Sequence, residues 1–256
     1  MFDDVDPNWF DSCSLASRYN ARLLSHWHSG RTLLRALMVR LRERFFGPPS
    51  KLQPAVAYHG LLVFDRPELH GGGLWYAEDF SRALVHFGIG KCERIFDFCA
   101  GPGYIGYHLF AGGYCKTLAL ADINPAATEA ARYTARYNGI EDLVSIYTSD
   151  VLEQIPSSEK WDLVVANTPI LPVNEMNSVN ILDYDISGTL HHRFFASIKK
   201  FMEPGGLVLH LFPREHCRPE TFRLMIEAGG GRIVDCILQK DFRGVDSDRF
   251  YLLSSW

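Results

Sequence analysis

A chain of 256 residues, 47% hydrophobic and 22% charged, has ordinary globular composition and is long enough to bury one large core. Its net charge of −4 leans away from a protein that grips nucleic acid through phosphates. No run of about 18 apolar residues predicts a membrane span, "MFDDVDPNWFDS" lacks the basic start and apolar core of a signal peptide, and six scattered cysteines offer no C-x-x-C pair. The expectation is a reduced, cytoplasmic protein with neither a metal site nor a disulfide framework.

Residues 13–46 predict helix. Leu15, Tyr19, Leu23 and Trp27 lie at helical spacing, and after Ser29–Gly30 the stripe resumes at Leu34, Leu37, Met38, Leu41 and Phe45. "GPPS" then stops it, because proline cannot continue a helix. The opposite face carries Arg31, Arg35, Arg40, Arg42 and Arg44, read as a solvated face, with an anionic partner as the alternative. Next, "AVAYHGLLVFD" and "GGGLWYAEDF" flank a turn-rich "RPELHGGG", which predicts a hairpin or loop crossing before a short helix from Glu78 to Phe87.

From Arg94 onward strands and helices alternate. "RIFDFC", "TLALADI", "LVSIYTSDV", "WDLVVAN" and "LVLHLFP" read as strands, and "GYIGYHLFA", "AATEAARYTARYNG", "TLHHRFFASIKKFMEPGG" and "PETFRLMIEAGGG" as helices. "RIVDCILQK" and "RFYLLSSW" follow with no room for a helix between them, so that pair must be antiparallel. The prediction is an α/β fold, a doubly wound and mostly parallel seven-stranded sheet with an antiparallel last strand. Residues 1–90 form a helical and hairpin cap, and residues 91–256 the catalytic domain.

"FDFCAGPGYIG" places Gly101, Gly103 and Gly106 between a strand and a helix, where glycine permits a tight turn and close approach to a ligand. By itself this spacing also fits a nicotinamide or flavin site. Asp97 discriminates: a carboxylate beneath the loop would repel a pyrophosphate and welcome a cation. S-adenosylmethionine (SAM) carries an ammonium and a sulfonium and no phosphate. Asp122 ends the next strand, where a carboxylate can accept two ribose hydroxyls. Asp150 ends the third strand, to accept an adenine amino group or to N-cap a helix at Val151–Gln154.

Together "RIFDFCAGPGYIGYHLF", "LALADINP", "SDV" and "DLVVANTPI" resemble the class I SAM-dependent methyltransferases over roughly residues 91–256. That resemblance implies a Rossmann-like fold with SAM as cofactor. Asp97 and the loop through Gly101, Gly103 and Gly106 would hold the methionine end, and Asp122 the ribose. Ile123 would lie beside the adenine, flanked by Asp150 and Val151. Cys99, Ala100, Asn124 and Asn167 would complete the cofactor contacts.

"NTPI" resembles the N-P-P-Y loop of methyltransferases that modify planar nitrogens, such as the release-factor glutamine enzymes. In such a loop the Asn167 side-chain oxygen and the residue 168 carbonyl would accept the acceptor's N–H bonds and turn its lone pair toward the methyl. Pro169 would keep the loop extended. Thr168 still supplies its carbonyl, whereas Ile170 removes the aromatic that stacks on a flat target. Asn167, Thr168 and Pro169 are thus the candidate catalytic residues, and Asn167 as a plain strand-end cap is the alternative. Trp75, Tyr76 and Tyr104 could face the sulfonium or simply pack. His191 and His192 read as helix-surface residues, with a general base as the alternative. "VNEMNSVNILDYDISGTLHHR" is the sort of polar insertion that shapes a site. The expected function is methyl transfer to a small nitrogen-bearing metabolite, with nucleic acid and membrane set aside as partners. The rivals are a SAM lyase or cyclase, such as an azetidine-2-carboxylate synthase, and an RNA or protein N-methyltransferase.

Overall fold

The computed structural model describes residues 37–38, 40–41, 52–69, 73–170, 185, 188–215, 217–238 and 249–256. Leu37, Met38, Arg40 and Leu41 are helical; the rest of the helix predicted over 13–46 lies outside the described residues.

An antiparallel hairpin comes first, β1 (Gln53–Tyr58) and β2 (Leu61–Asp65), turning at His59–Gly60. Both turn residues have positive φ, 47° and 88°, the left-handed pair that a two-residue hairpin loop requires. The hairpin therefore lies inside "AVAYHGLLVFD" and does not span the "RPELHGGG" stretch. Helix α1 (Gly73–His86) begins five residues before the predicted Glu78, with Ala77, Asp79, Phe80, Ala83 and Leu84 on its buried face.

The alternating region matches its pattern: β3 (Cys92–Phe98), α2 (Tyr104–Ala111), β4 (Cys115–Asp122), α3 (Pro125–Asn138), β5 (Val144–Thr148) and β6 (Trp161–Ala166). Then come α4 (Thr189–Ser197), β7 (Met202–Pro213), α5 (Pro219–Ala228), β8 (Arg232–Leu238) and β9 (Arg249–Ser255). The long helix expected after Thr189 is shorter than its sequence pattern. It passes through a one-turn 3-10 segment, Ile198–Phe201, straight into β7.

The seven-stranded sheet has the order β5-β4-β3-β6-β7-β9-β8. Only β9 runs antiparallel, and it is inserted between β7 and β8. Parallel strands covered on both faces should be largely apolar; in β3 Ile95, Phe96 and Phe98 are at most 3% exposed, and Asp97 is the buried polar exception. Ile95 joins the core beneath α2 and α3, whereas Phe96 and Phe98 join the opposite core, under α4. There Phe96 stacks on Trp161 and Phe98 on Phe194, with ring centroids 3.9 and 4.5 Å apart. Helix α2 is buried along its length, which suits its uniformly apolar sequence.

Two polar fixtures matter for the site. At the edge of β2, Asn138 accepts the Leu62 N–H and donates to the Leu62 carbonyl, and Thr134 Oγ1 accepts the Phe64 N–H. These bonds cover an otherwise open strand edge and dock the hairpin on α3. At the other end of the sheet, Arg94 makes a two-pronged pair with Glu159, both contacts 2.8 Å. Glu159 also accepts bonds from the Tyr147 hydroxyl and the Trp161 indole, tying β3, β5 and β6 together.

Candidate active site

The chain builds β3, β4 and β5 in one direction, then returns to place β6 on the other side of β3. Open α/β sheets bind ligands at the carboxyl ends of the strands flanking such a reversal. A cleft of about 400 Å³ opens there, within the usual range for a cofactor site. It is lined by Cys99–Pro102 after β3, Asp122–Asn124 after β4, Ser149–Val151 after β5, and Asn167 and Pro169 after β6.

The glycine loop is shaped by backbone and packing. Ala100 N–H donates to the Ala121 carbonyl and Gly103 N–H to the Ala100 carbonyl, each at 2.9 Å. Gly101 has φ of 56°, and a Cβ there would meet nothing within 4 Å, so the chain turns beside open space. Gly106 answers to packing: a Cβ would lie 2.5 Å from the Leu120 side chain and 3.0 Å from Asp97 Oδ2. Gly103 and Gly106 thus form the support of the loop, while Gly101 faces the cleft. Cys99 and Val151 also hold positive φ, 56° and 53°, which costs a non-glycine residue on the order of 1–3 kcal/mol and is commonest at functional sites.

Asp97 is 1% exposed beneath this loop. Its Oδ2 accepts the Gly106 N–H at 2.8 Å, and its Oδ1 has no hydrogen-bond partner. Burial pushes the carboxyl up to about 8; the Gly106 N–H opposes that shift and Asp122 adds to it. Asp97 does not itself line the cleft and Oδ1 is buried, but an unpartnered carboxylate oxygen in a buried place is the chemistry that a cationic amine would satisfy. Asp122 accepts the Gly101 N–H at 2.7 Å and the Asn124 N–H at 2.8 Å, one on each oxygen. Burial raises its pKa against those backbone bonds. Each oxygen keeps a lone pair for a hydroxyl donor. Ile123 beside it is an exposed apolar side chain, at 51%, on the cleft wall.

Asn124 lines the cleft while its side-chain oxygen caps α3 by accepting the Ala126 N–H. Asp150 does not cap the following turn with its carboxylate. Both oxygens are gripped by Arg193 from α4, at 2.9 and 3.0 Å. After β6, Asn167 and Pro169 face the cleft, whereas Ile170 packs against the core beneath α4. Thr168 is buried at 6%, its Oγ1 2.7 Å from Nε2 of His191. His191 is itself 1% exposed, which corrects its reading as a surface residue; His192 is exposed as expected. Tyr104 lines the cleft and donates its hydroxyl to Asp65 at the end of β2. Trp75 is 74% exposed, and Tyr76 lies beneath the guanidinium of Arg249, so neither lines the cleft. Sequence reasoning missed Asp185, Thr189, Leu190 and Arg193, which also line it. The only signal for them was the polar stretch in which Asp185 sits.

The model of the family described as "Methyltransferase small domain" matches residues 79–222. The chain belongs to that family. Over 96 residues it is 29% identical to the release factor glutamine methyltransferase of Leptospira interrogans. Over 108 residues it is 30% identical to the Bacillus subtilis protein YbxB. These stretches are 36% and 42% of this chain but 34% and 50% of the relatives, so the chain spans a third to a half of their length. In fold it resembles SMU.776, a putative methyltransferase crystallised with S-adenosylhomocysteine (SAH), at 11% identity and TM-score 0.57 over 82% of this chain and 57% of that one. It also resembles the 16S rRNA N2 G1207 methyltransferase of T. thermophilus, at 14% identity and TM-score 0.52 over 81% and 51%. The family match makes residues 79–222 a methyltransferase small domain, and the orphaned oxygen of Asp97 and the paired acceptors of Asp122 suit SAM as its cofactor. Among the described residues no helix is long and apolar enough to cross a membrane, and no cluster could hold a metal ion.

Proposed function

We propose that the protein methylates a nitrogen atom of a small polar metabolite, held at Asn167 on the floor of the cleft. The observation that carries this reading is the division of the N-T-P-I loop: Asn167 and Pro169 line the cleft while Ile170 turns into the core. The loop thereby offers the acceptor a hydrogen-bonding amide without a ring of its own, the rings on the cleft wall being Phe98 and Tyr104 from other elements, which suits a small target better than a flat base.

SAM supplies an electrophilic methyl group on a sulfonium. Asp97 pairs with its amine, the Gly101 loop receives its carboxylate, and Asp122 accepts the ribose hydroxyls. Ile123 and Val151 flank the adenine, with Asp150 as acceptor for its amino group. Cys99, Ala100 and Asn124 complete the wall. Asn167 and the carbonyl of Thr168 accept the acceptor's N–H bonds, which aims its lone pair and lowers the entropic part of the barrier.

The same absence of a ring also favours a second reading, SAM acting on its own amine as in a cyclase. Incubation with SAM, with and without a panel of small amines and amides, separates the two. Methyl transfer predicts SAH only when an acceptor is present. Methylthioadenosine formed from SAM alone would overturn it. Turnover only with a structured RNA or a protein amide would replace the small acceptor with a macromolecular one.

A further inference from the structure

Behind the cleft, three buried polar side chains form a line that none of the roles above employs. Thr168, His191 and Asp185 are 6%, 1% and 6% exposed. Thr168 Oγ1 lies 2.7 Å from His191 Nε2, and His191 Nδ1 lies 2.6 Å from Asp185 Oδ2. Asp185 Oδ1 accepts the Leu190 N–H at 2.8 Å. Burial opposes the charge on Asp185, but the bonds from His191 and the Leu190 backbone, with the His191 charge, hold its pKa below the ordinary value. An ionised Asp185 can only accept, so Nδ1 carries the hydrogen. Nε2 meets the Thr168 hydroxyl, which can accept from a protonated ring or donate to a neutral one, so the line is satisfied in either state of His191.

The line joins the two sides of the site. Thr168 follows β6 and is flanked by two cleft residues, Asn167 and Pro169; Asp185 and Leu190 line the cleft on the α4 side. His191 touches both sides at once. The rest of its surroundings is aromatic: Phe195 on its own helix, Phe212 on β7 and Phe222 on α5. Among the described residues the other imidazole there is His210 on β7, 6.0 Å away by centroids, whose pKa burial and His191 push well below the ordinary value.

Burying three polar groups is costly unless each is satisfied, and apolar side chains of the same shape stabilise a core as well or better. A proline at position 168 would need no such partner. The arrangement therefore points to orientation more than to stability.

We propose that His191 is a positioning residue for methyl transfer. Through the Thr168 hydroxyl it sets the Asn167–Pro169 loop at the angle that receives the acceptor, and through Asp185 it fixes that loop to the start of α4. The proposal rests on the reading of Asn167 as the residue that holds the acceptor.

The test compares Thr168→Val, Thr168→Ser and His191→Phe in the full chain. Calorimetry with SAM should give dissociation constants within about threefold of wild type for all three. With the small amine or amide that wild type methylates fastest, Thr168→Val and His191→Phe should lose kcat at least about tenfold, and Thr168→Ser should recover most of it. Amide hydrogen exchange at Thr168 and Ile170 should quicken in Thr168→Val and His191→Phe while the amides of β3 keep their protection. Undiminished kcat in Thr168→Val, equal loss in Thr168→Ser, or unchanged exchange at the loop would overturn the proposal. If wild type methylates no compound of the panel, the acceptor reading fails, and loop exchange still decides whether His191 holds the loop.

Discussion

Replacing Asp97 with asparagine should make the protein more stable and a poorer binder of SAM. The carboxyl is 1% exposed, with one oxygen on the Gly106 N–H and the other unpartnered. Its pKa is about 8 in the folded chain, against about 4 for an unfolded aspartate. A raised carboxyl keeps its full contribution to stability below the unfolded value and loses it as pH climbs to the folded value. The window is therefore about pH 4 to 8, with a slope near 1.4 kcal/mol per pH unit. By neutral pH the wild type has lost about 4 kcal/mol that a neutral side chain would keep. Asp97→Asn should regain part of this, at least about 1 kcal/mol, since its amide still lacks one partner. Urea unfolding near pH 5 and near pH 8 reads the effect as a fall in stability that is steeper in wild type than in the variant, where of the two raised carboxyls only Asp122 remains. Calorimetry near pH 8 should show SAM affinity down at least about tenfold, because the charge proposed to pair with the amine is gone. At neutral pH, SAM binding to wild type should also release protons, visible as a heat that changes with buffer ionisation enthalpy. Equal pH slopes, or an Asp97→Asn variant that binds SAM as well as wild type, would refute the reasoning.

Asp122→Ala should nearly abolish SAM binding in calorimetry, since it removes the candidate ribose acceptor and frees the Gly101 and Asn124 N–H groups together. Asn167→Ala should lower kcat far more than SAM affinity if the proposed contact with the acceptor is made in the reacting geometry; a pure affinity loss would make it a strand-end cap. Arg193→Ala should leave thermal unfolding near wild type, since its ion pairs are partly exposed. SAM binding should nevertheless weaken by roughly 3- to 10-fold as Asp150 loses its two-point anchor, within the range of a lost charge-assisted contact. Glu159→Gln should act in the opposite pH direction to Asp97→Asn. Burial opposes the charge on Glu159, but Arg94, Tyr147 and Trp161 bring its pKa below the ordinary value, so its contribution is present above about pH 4 and lost below. The variant should unfold about 2 kcal/mol more easily at neutral pH and show less acid sensitivity in urea titrations.

The parallel core was legible because burial on both faces leaves a plain mark: "RIFDF" and "WDLVVA" are apolar runs with few alternatives. Asp97 and Gly101 stand four residues apart in "DFCAG", and Asp122 ends the following strand, so the parallel pairing of β3 with β4 alone predicts that they meet; the Gly101 N–H indeed bonds Asp122. The hairpin was misplaced because His59–Gly60 is a weak turn signal inside an unbroken apolar stretch. The start of α1 was misplaced because Gly73 offers no side-chain cap to announce it. His191 was hidden for another reason. Its burial depends on Thr168, 23 residues earlier, and helical spacing does not reveal a polar partner on another element. Arg193 was invisible likewise, its partner Asp150 lying 43 residues away.

The position of β9 has a consequence for assembly. It comes after β8 in the chain, yet every bond that ties β8 into the sheet passes through it. On the ribosome, β3 to β7 can pair as they emerge, because each new strand meets one already made. β8 emerges with no seat, and β7 is left with a bare edge that includes Leu209, Leu211 and Phe212, all at most 1% exposed in the finished fold. Until β9 slots between them, that edge is open to pairing with any other strand. The nascent chain is thus most prone to aggregation between the emergence of β8 and that of β9, with the cleft formed and the sheet not yet closed.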